Sequence, residues 1–119
     1  MDLILEGRKS LELRPRATSR RGWIALIPGR SGLVAGVVRL TGCTPPLDLE
    51  GLREMAARHC VPADDWPQVL ERGWRIGWEL EDARRLSRPV PYRHPLGAVT
   101  WVRLQPDVAQ AVAVQVALI

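Results

Sequence analysis

The stretch 74–81 constrains the fold most, because large apolar residues recur at every second position along it. Successive side chains of a β-strand point to opposite faces, so this period predicts a strand with one buried and one polar face. The buried face would carry Trp74, Ile76, Trp78 and Leu80. Such a strand needs neighbouring strands to pair with and an apolar layer to cover its buried face.

Four other segments are predicted as strands. Residues 11–14 alternate in the same way, whereas 23–27 and 33–40 are continuous apolar runs, which fit strands covered on both faces. Gly36 lies within the second run and predicts a bulge or a close approach of another backbone. Residues 98–104 form the last predicted strand.

Helices are predicted from capping residues and from apolar residues that share one helical face. The segments are Asp2–Glu6, ended by Gly7; Asp48–His59, with Leu49, Leu52, Met55 and Ala56 on one face; a short helix capped by Asp64 or Asp65, with Pro67 in its first turn; and a C-terminal helix opened by Pro106, with Val108, Val112 and Val116 on one face. In the last segment Val112, Val114 and Val116 also alternate, so a strand stays open there. Residues 84–95 contain three prolines and are predicted to be mostly loop.

Strands with helices inserted between them predict an α+β fold, a small barrel of about five to six strands with about two to four helices packed around it. A length of 119 residues fits a single domain over residues 1–119. No apolar run approaches the roughly eighteen residues that a membrane span needs, and no secretory signal is visible. The two cysteines, Cys43 and Cys60, indicate no disulfide framework. We therefore expect a cytoplasmic protein that does not enter a membrane.

The charge pattern favours an acidic partner, with nucleic acid as the first candidate. The chain has 17 Lys and Arg against 13 Asp and Glu, a net charge of +4. Four arginines, among them Arg20 and Arg21, lie within residues 14–21, interleaved with Thr18 and Ser19. This composition suits a phosphate backbone, although a solvated loop has the same composition.

Lys9 is the single lysine of the chain; the other sixteen of its 17 Lys and Arg residues are arginines. Its compact ammonium can do chemistry that a guanidinium cannot. If Leu11 and Leu13 face the core, Glu12 and Arg14 project from the other face, and Lys9 joins them only where the chain before the strand is irregular. The result would be a cleft in which Lys9 and Arg14 contact phosphate or carbonyl oxygens and Glu12 accepts from an exocyclic amine. The alternative is an exposed ion-pair strip worth a few tenths of a kcal/mol.

Other candidate ligand contacts lie in the last predicted strand. Trp101 is the best candidate for stacking on a base, and Thr100 beside it could supply a hydroxyl. The histidines and cysteines lack the spacing of metal ligands, so we expect no metal and no cofactor.

Taken in order, these segments resemble the ASCH domain, a branch of the PUA-like superfamily of small β-barrels. The resemblance runs from residue 2 to residue 104. It rests on Gly7, Lys9, Glu12 and Arg14; on Arg21–Ile27; on Leu33–Leu40; on Trp78–Asp82; on Pro89–Tyr92; and on Leu96–Trp101. It implies a PUA-like barrel that binds RNA or a modified nucleoside in a basic cleft around Lys9, Glu12 and Arg14.

The resemblance also leaves an enzyme and a protein-interaction module open. Some small ASCH proteins resemble amidohydrolases of N4-acylated cytidine, in which the Lys activates a Thr three residues later, a position held here by Glu12. Ser10 or Thr100 would then have to supply the hydroxyl. Other ASCH proteins look like ribonucleases, for which Lys9 would stabilise phosphorane charge and Glu12 would act as the base. A module of transcription or translation regulation would bind a protein partner. The sequence leaves the ligand and the oligomeric state open.

Overall fold

Four strands and six helical segments make up the part of the chain that the structure, a computed structural model, describes, namely residues 2–28, 32–92 and 106–117. The strands are β1 (Leu11–Arg14), β2 (Gly22–Leu26), β3 (Leu33–Cys43) and β4 (Ile76–Pro91). The helices are α1 (Asp2–Leu5), α2 (Leu49–Glu54), α3 (Ala56–His59), α4 (Trp66–Glu71), which follows a 3-10 turn over Ala63–Asp65, and α5 (Pro106–Ala117). The α+β prediction is confirmed.

The strands form one antiparallel sheet in the order β1-β4-β3-β2. Trp78 of β4 stands between Glu12 of β1 and Cys43 of β3, so β4 is the strand that joins both sides of the sheet. Over the described residues the sheet is open and has four strands, not the predicted closed barrel of five to six. The predicted strand 98–104, with Thr100 and Trp101, lies outside the described residues.

The strand β4 is longer than predicted, and the loop expected from Arg84 onward is wrong as far as Pro91. The reason is pairing: β1 accompanies β4 only up to Glu79, whereas β3 continues to pair with it as far as Pro91. A strand with a neighbour on one side tolerates proline, because the missing N–H is not required on the other side. At its start, Trp74 precedes the strand and is exposed, so its predicted place on the buried face is wrong.

Both faces of the sheet are covered. One face packs against α1 through a core of Ile4, Leu5, Leu26, Val38, Leu40, Trp78 and Leu80. A second core joins Leu11 and Leu13 to Leu47 and Leu52 beside α2. A third holds Val108 and Val112 of α5 against Val34, Val37, Leu86 and Val90. The C-terminal segment is a helix and not a strand, with Val108 and Val112 buried and Val114 exposed.

Gly36 shows why β3 and β4 can approach so closely. A Cβ atom at this position would lie 2.6 Å from the carbonyl oxygen of Arg84 and would also meet the side chain of Leu5. The register between β3 and β4 shifts beside it, between Val34 and Gly36. Both features that the sequence offered for this glycine, a bulge and a close backbone approach, are therefore present.

Three smaller predictions are corrected. The predicted helix 48–59 is divided at Met55 into α2 and α3, so the described residues hold five α-helices where two to four were expected. Asp48 does cap α2 by accepting from the Gly51 N–H at 2.8 Å, but Leu49 is 48% exposed and leaves the apolar face to Leu52. In the predicted strand 23–27 only Trp23 departs from coverage on both faces, because it is 47% exposed, whereas Ile24 and Ala25 pack against different cores.

In the described residues, no helix has the length and apolar character needed to cross a membrane.

Candidate functional site

A cavity of about 330 Å³ opens where the chain before β1 separates from β4. Its lining combines an apolar part with a polar part that carries both charges. The residues are Ile4, Val38, Leu80 and Ala83 on the apolar side, and Gly7, Lys9, Ser10, Glu81 and Asp82 on the polar side. Ligand pockets typically combine such an apolar lining with a few polar groups, and their volumes begin near 300 Å³.

Gly7 directs the chain along this cavity. It has a φ of 77°, the left-handed conformation that ends a helix, as its sequence position predicts. The N–H groups of Arg8 and Lys9 donate to the carbonyl of Leu3, at 2.9 and 3.0 Å, and close the turn. Ser10 then joins the sheet, where its carbonyl accepts from the Leu80 N–H at 3.0 Å. The segment 7–10 is therefore irregular, which was the condition for Lys9 to reach Glu12.

Lys9 and Glu12 form an ion pair, which the sequence left open as the alternative to a ligand-binding cleft. The Lys9 Nζ lies 3.6 Å from the Glu12 Oε1, and the two side chains are only 16% and 27% exposed. Glu12 pairs with Trp78 and projects from the opposite face to the buried Leu11 and Leu13. Lys9 thus lines the cavity with a carboxylate partner already beside it, while Glu12 itself is not among the lining residues.

Arg14 shares the face of Glu12 but has a different contact. Its guanidinium carbon lies 5.3 Å from the centroid of the Trp78 ring, a cation–π distance. Its Nε atom is buried and has no hydrogen-bond partner among the described residues. Arg14 therefore packs on the core tryptophan at the edge of the sheet and does not line the cavity beside Lys9.

Ser10 was considered from the sequence only as a substitute hydroxyl and was not selected as a ligand contact. Adjacent side chains of an extended segment point in opposite directions, but this segment is not extended, so Ser10 lines the same cavity as Lys9. Arg58 of α3 donates to the Ser10 Oγ from its Nε at 3.1 Å, and its Nη1 lies 3.5 Å from the Glu79 Oε1. The hydroxyl is therefore fixed by a guanidinium from a neighbouring helix.

Glu81 and Asp82 supply the carboxylates of the cavity and were also missed as site residues. One nitrogen of Arg39, Nη2, lies 3.0 Å from the Glu81 Oε2 and 2.9 Å from the Asp82 Oδ2. Asp82 has a φ of 55°, a left-handed conformation that few residues other than glycine adopt. The sequence does show that two acidic residues follow each other where the alternation of β4 ends, but this pattern alone does not indicate that they line a cavity.

The basic loop lies elsewhere. Arg20 and Arg21 are exposed and directly precede β2, which lies at the opposite edge of the sheet from β1. The Arg21 Nη1 donates to the carbonyl oxygens of Thr18 and Arg20, at 2.8 and 2.6 Å. Neither arginine is among the residues that line the cavity.

The remaining candidates divide in two. Thr100 and Trp101 lie outside the described residues. Over residues 2–28, 32–92 and 106–117 no group of three or more His, Cys, Asp or Glu side chains is arranged to hold a metal ion. His59, expected only at a helix end, is completely buried and forms hydrogen bonds through both ring nitrogens.

Three solved structures are similar to the chain over nearly its whole length. The ASCH protein from Zymomonas mobilis has a TM-score of 0.72 at 17% identity, covering 95% of this chain and 86% of that one. A tyrosine-to-phenylalanine variant of it gives 0.70 at 19% identity, covering 95% and 88%. A serine-to-alanine variant gives 0.70 at 20% identity, covering 95% and 87%. No protein-family model matches the sequence, and no curated protein matches it significantly.

Identities this low establish a common architecture and leave the chemistry of the site to be argued from its own residues. The resemblance stated from the motifs and the similarity of the structures agree over almost the same residues. The chain has the fold of an ASCH domain.

Proposed function

We propose that the protein binds RNA or a modified nucleoside in the cavity beside Lys9. The proposal includes the finer features implied by the ASCH resemblance, namely a PUA-like barrel formed as one domain by residues 1–119, and a cytoplasmic location. The observation that carries it is the cavity lining, in which Lys9, Ser10, Glu81 and Asp82 stand beside an apolar wall.

The chemistry of this lining matches a nucleobase and its phosphate. The ring faces of a base are apolar and can pack on Ile4, Val38 and Leu80, while its edge offers donors and acceptors. A lysine positions a ligand through phosphate or carbonyl oxygen, and a carboxylate accepts from an exocyclic amine. The carboxylate role assigned to Glu12 from the sequence is supported better for Glu81 and Asp82, because these two line the cavity.

The basic loop supports a longer ligand. Its exposed arginines, Arg20 and Arg21, lead into β2, whose Gly22 is in register with Leu40 and, through it, with Leu80 of the cavity. We expect them to contact the backbone of a strand whose base occupies the cavity. Exposed arginines of this kind add sequence-independent affinity that decreases as salt increases. We therefore expect RNA to bind more tightly than a single nucleoside, with most of the difference lost at high salt.

The test is a titration of wild type, Lys9→Ala and Arg53→Ala with a fluorescent single-stranded RNA octamer and with cytidine 5′-monophosphate. Arg53 is the matched control, because it is an exposed cation on α2 paired with Glu50 at 3.0 Å, so both variants lose one positive charge. Lys9→Ala should lose at least tenfold in affinity for the monophosphate, the scale of a charge-assisted hydrogen bond of about 1.5 kcal/mol or more, and Arg53→Ala should bind like wild type. Equal affinities of the two variants, or no binding by wild type, would overturn the proposal.

An enzyme is the second candidate, favoured by the common location of Ser10 and Lys9 in one cavity. The hydroxyl accepts from Arg58, so its own proton remains available for transfer to a base. An amidohydrolase of N4-acylated cytidine or a ribonuclease would use these groups. Incubation of wild type, Ser10→Ala and Lys9→Arg with N4-acetylcytidine and with RNA, followed by product analysis, tests this. If wild type forms product and Lys9→Arg does not, the protein is an enzyme. If wild type binds these ligands without forming product, it is a binding protein.

A further inference from the structure

We propose that Asp82 selects a base carrying an exocyclic amine, such as cytosine or guanine, over one with a carbonyl or a hydrogen at that position. This inference rests on the proposed function, since it assigns base specificity to the same cavity. It also assigns a role to Arg39, which pairs with Glu81 across the strands and positions the Asp82 carboxylate.

A β-bulge brings Asp82 to this place. Between the pairs Val37–Arg84 and Arg39–Glu81 the chain advances two residues along β3 but three along β4. The extra residue of β4 falls at Asp82 or Ala83, and Asp82 has its φ of 55° here. Bulges bend a strand locally and redirect one side chain, and they recur beside functional sites.

Arg39 fixes the carboxylate without occupying it fully. Its Nη2 contacts the Asp82 Oδ2 at 2.9 Å and the Glu81 Oε2 at 3.0 Å. Each carboxylate has a second oxygen that can accept from a ligand. A carboxylate accepts hydrogen bonds and donates none, so both side chains can only pair with donors on a ligand. Arg39 itself does not line the cavity, which makes it a positioning residue.

The charges at the cavity favour a particular pattern on the ligand. The two carboxylates lie on β4, and the Lys9 ammonium comes from the segment that leads to β1. A base edge that carries both an amine and a carbonyl can bind both charged groups, because the amine donates to Asp82 while the carbonyl accepts from Lys9. A carbonyl opposite Asp82, as in uracil, would place two acceptors against each other.

The experiment uses two matched ligand pairs, cytidine with uridine and guanosine with inosine, titrated calorimetrically into the full chain. The members of each pair differ in the exocyclic amine. Wild type should favour the amine-bearing member about tenfold, within the range of one base-edge contact, and Asp82→Asn should reduce this preference to about twofold. Asn tolerates a left-handed conformation, so this variant keeps the backbone while it removes the charge. Glu50→Gln, a carboxylate paired with Arg53 on α2, is the control and should leave the preference unchanged.

Arg39→Gln separates positioning from a general structural effect. If Arg39 orients Asp82, this variant loses preference between cytidine and uridine but keeps Lys9-dependent binding of both. An equal decrease in both affinities would mean that Arg39 is merely structural and would overturn its assigned role. Wild type that binds cytidine and uridine equally, or Asp82→Asn with the wild-type preference, overturns the inference and leaves the proposed function standing. Absence of any nucleoside binding by wild type overturns both.

Discussion

Arg58 holds Ser10 by its main chain and by its side chain at once. The Ser10 N–H donates to the Arg58 carbonyl at 2.9 Å, the Arg58 Nε donates to the Ser10 Oγ at 3.1 Å, and its Nη2 donates to the Ser10 carbonyl at 3.4 Å. The last residue before β1 is thereby tied to α3. Lys9 precedes Ser10 directly, so this link also fixes one wall of the cavity.

Replacement of Arg58 by Met keeps the aliphatic stem and the main-chain bond but removes the guanidinium contacts. We expect the free energy of unfolding to decrease by about 1 kcal/mol, because the lost hydrogen bonds are only partly buried, and the affinity for cytidine 5′-monophosphate to decrease several-fold. Urea unfolding and the monophosphate titration measure the two effects. Arg53→Met is the control, since Arg53 contacts only an exposed glutamate in the described structure. If both variants behave alike, Arg58 does not hold the cavity.

The buried His59 side chain contacts three separate segments, through Leu52, Val61 and Trp66. Its Nδ1 accepts from the Val61 N–H at 3.0 Å, so its Nε2 carries the proton and donates to the Leu52 carbonyl at 2.8 Å. The ring is fully buried and meets Trp66 edge-on, with centroids 6.0 Å apart. His59→Leu would leave two backbone groups without these partners. The expected loss is about 2–4 kcal/mol, because a buried unsatisfied group costs about 1–3 kcal/mol and the Val61 N–H is only partly buried.

Urea unfolding of His59→Leu and of Leu49→Ala checks this expectation. Leu49 belongs to α2, the helix that supplies the Leu52 carbonyl, but it is 48% exposed. Its truncation should change stability by less than about 1 kcal/mol, as for most surface positions. A midpoint of His59→Leu equal to that of Leu49→Ala would contradict the role given to the imidazole.

The predictions from sequence succeeded where the alternation of apolar and polar residues indicates which face of a strand is buried. They failed where the extent of an element depends on which other strand or helix it contacts. The alternation in β1 and β4 identified their buried faces, because the side-chain period of a strand is independent of its partners. The continuation of β4 through Pro89 to Pro91 depends on which neighbour lies on which edge, and no local signal in the prolines carries that information. The division of one predicted helix at Met55 is equally a matter of packing between segments.

The candidate site divides in the same way. The spacing of Lys9 and Glu12, with a glycine before them, was enough to predict that they lie together, but not to decide between an ion pair and a ligand-binding cleft. Asp82 could not be found in this manner, since it reaches the cavity through a single extra residue in β4 that exists only in relation to β3. Arg21 stays a prediction, because clustering of arginines along the chain does not say where each side chain lies relative to the cavity.

Gly36 should tolerate no side chain, because a backbone carbonyl lies opposite it in addition to the Leu5 side chain. An alanine Cβ would lie 2.6 Å from the Arg84 carbonyl oxygen, which cannot move without displacing β4. We expect Gly36→Ala to lower the unfolding free energy by about 1–3 kcal/mol, the usual cost of overpacking. Gly42→Ala is a control from the same strand, since its Cβ would meet the Glu79 Oε2 at 2.7 Å, the end of a flexible side chain. Thermal unfolding compares the two, and equal losses would mean that close backbone approach is not what requires Gly36.

The indole of Trp78 joins the core to the basic loop. Its Nε1–H donates to the Arg16 carbonyl at 2.9 Å, and the rest of the ring is buried under Arg14. Trp78→Phe keeps an aromatic ring in the core but removes the N–H donor. We expect a modest loss of stability, about 1 kcal/mol for one hydrogen bond, with a much larger effect on the loop. Trypsin should cut after Arg16, Arg20 and Arg21 severalfold faster than in wild type.

Fragment analysis by mass spectrometry distinguishes release of the loop from global unfolding. His59→Leu should be less stable than Trp78→Phe but keeps the bond between the indole and Arg16, so trypsin should attack it throughout the chain and not first in the loop. Trp74→Phe alters an exposed ring before β4 and should be cut like wild type. If cleavage of Trp78→Phe is spread over the chain as in His59→Leu, the indole stabilises only the core. Early cuts confined to the loop would instead show that Trp78 holds Arg20 and Arg21 in place for an anionic strand, so that RNA affinity should fall in Trp78→Phe while the affinity for cytidine stays unchanged.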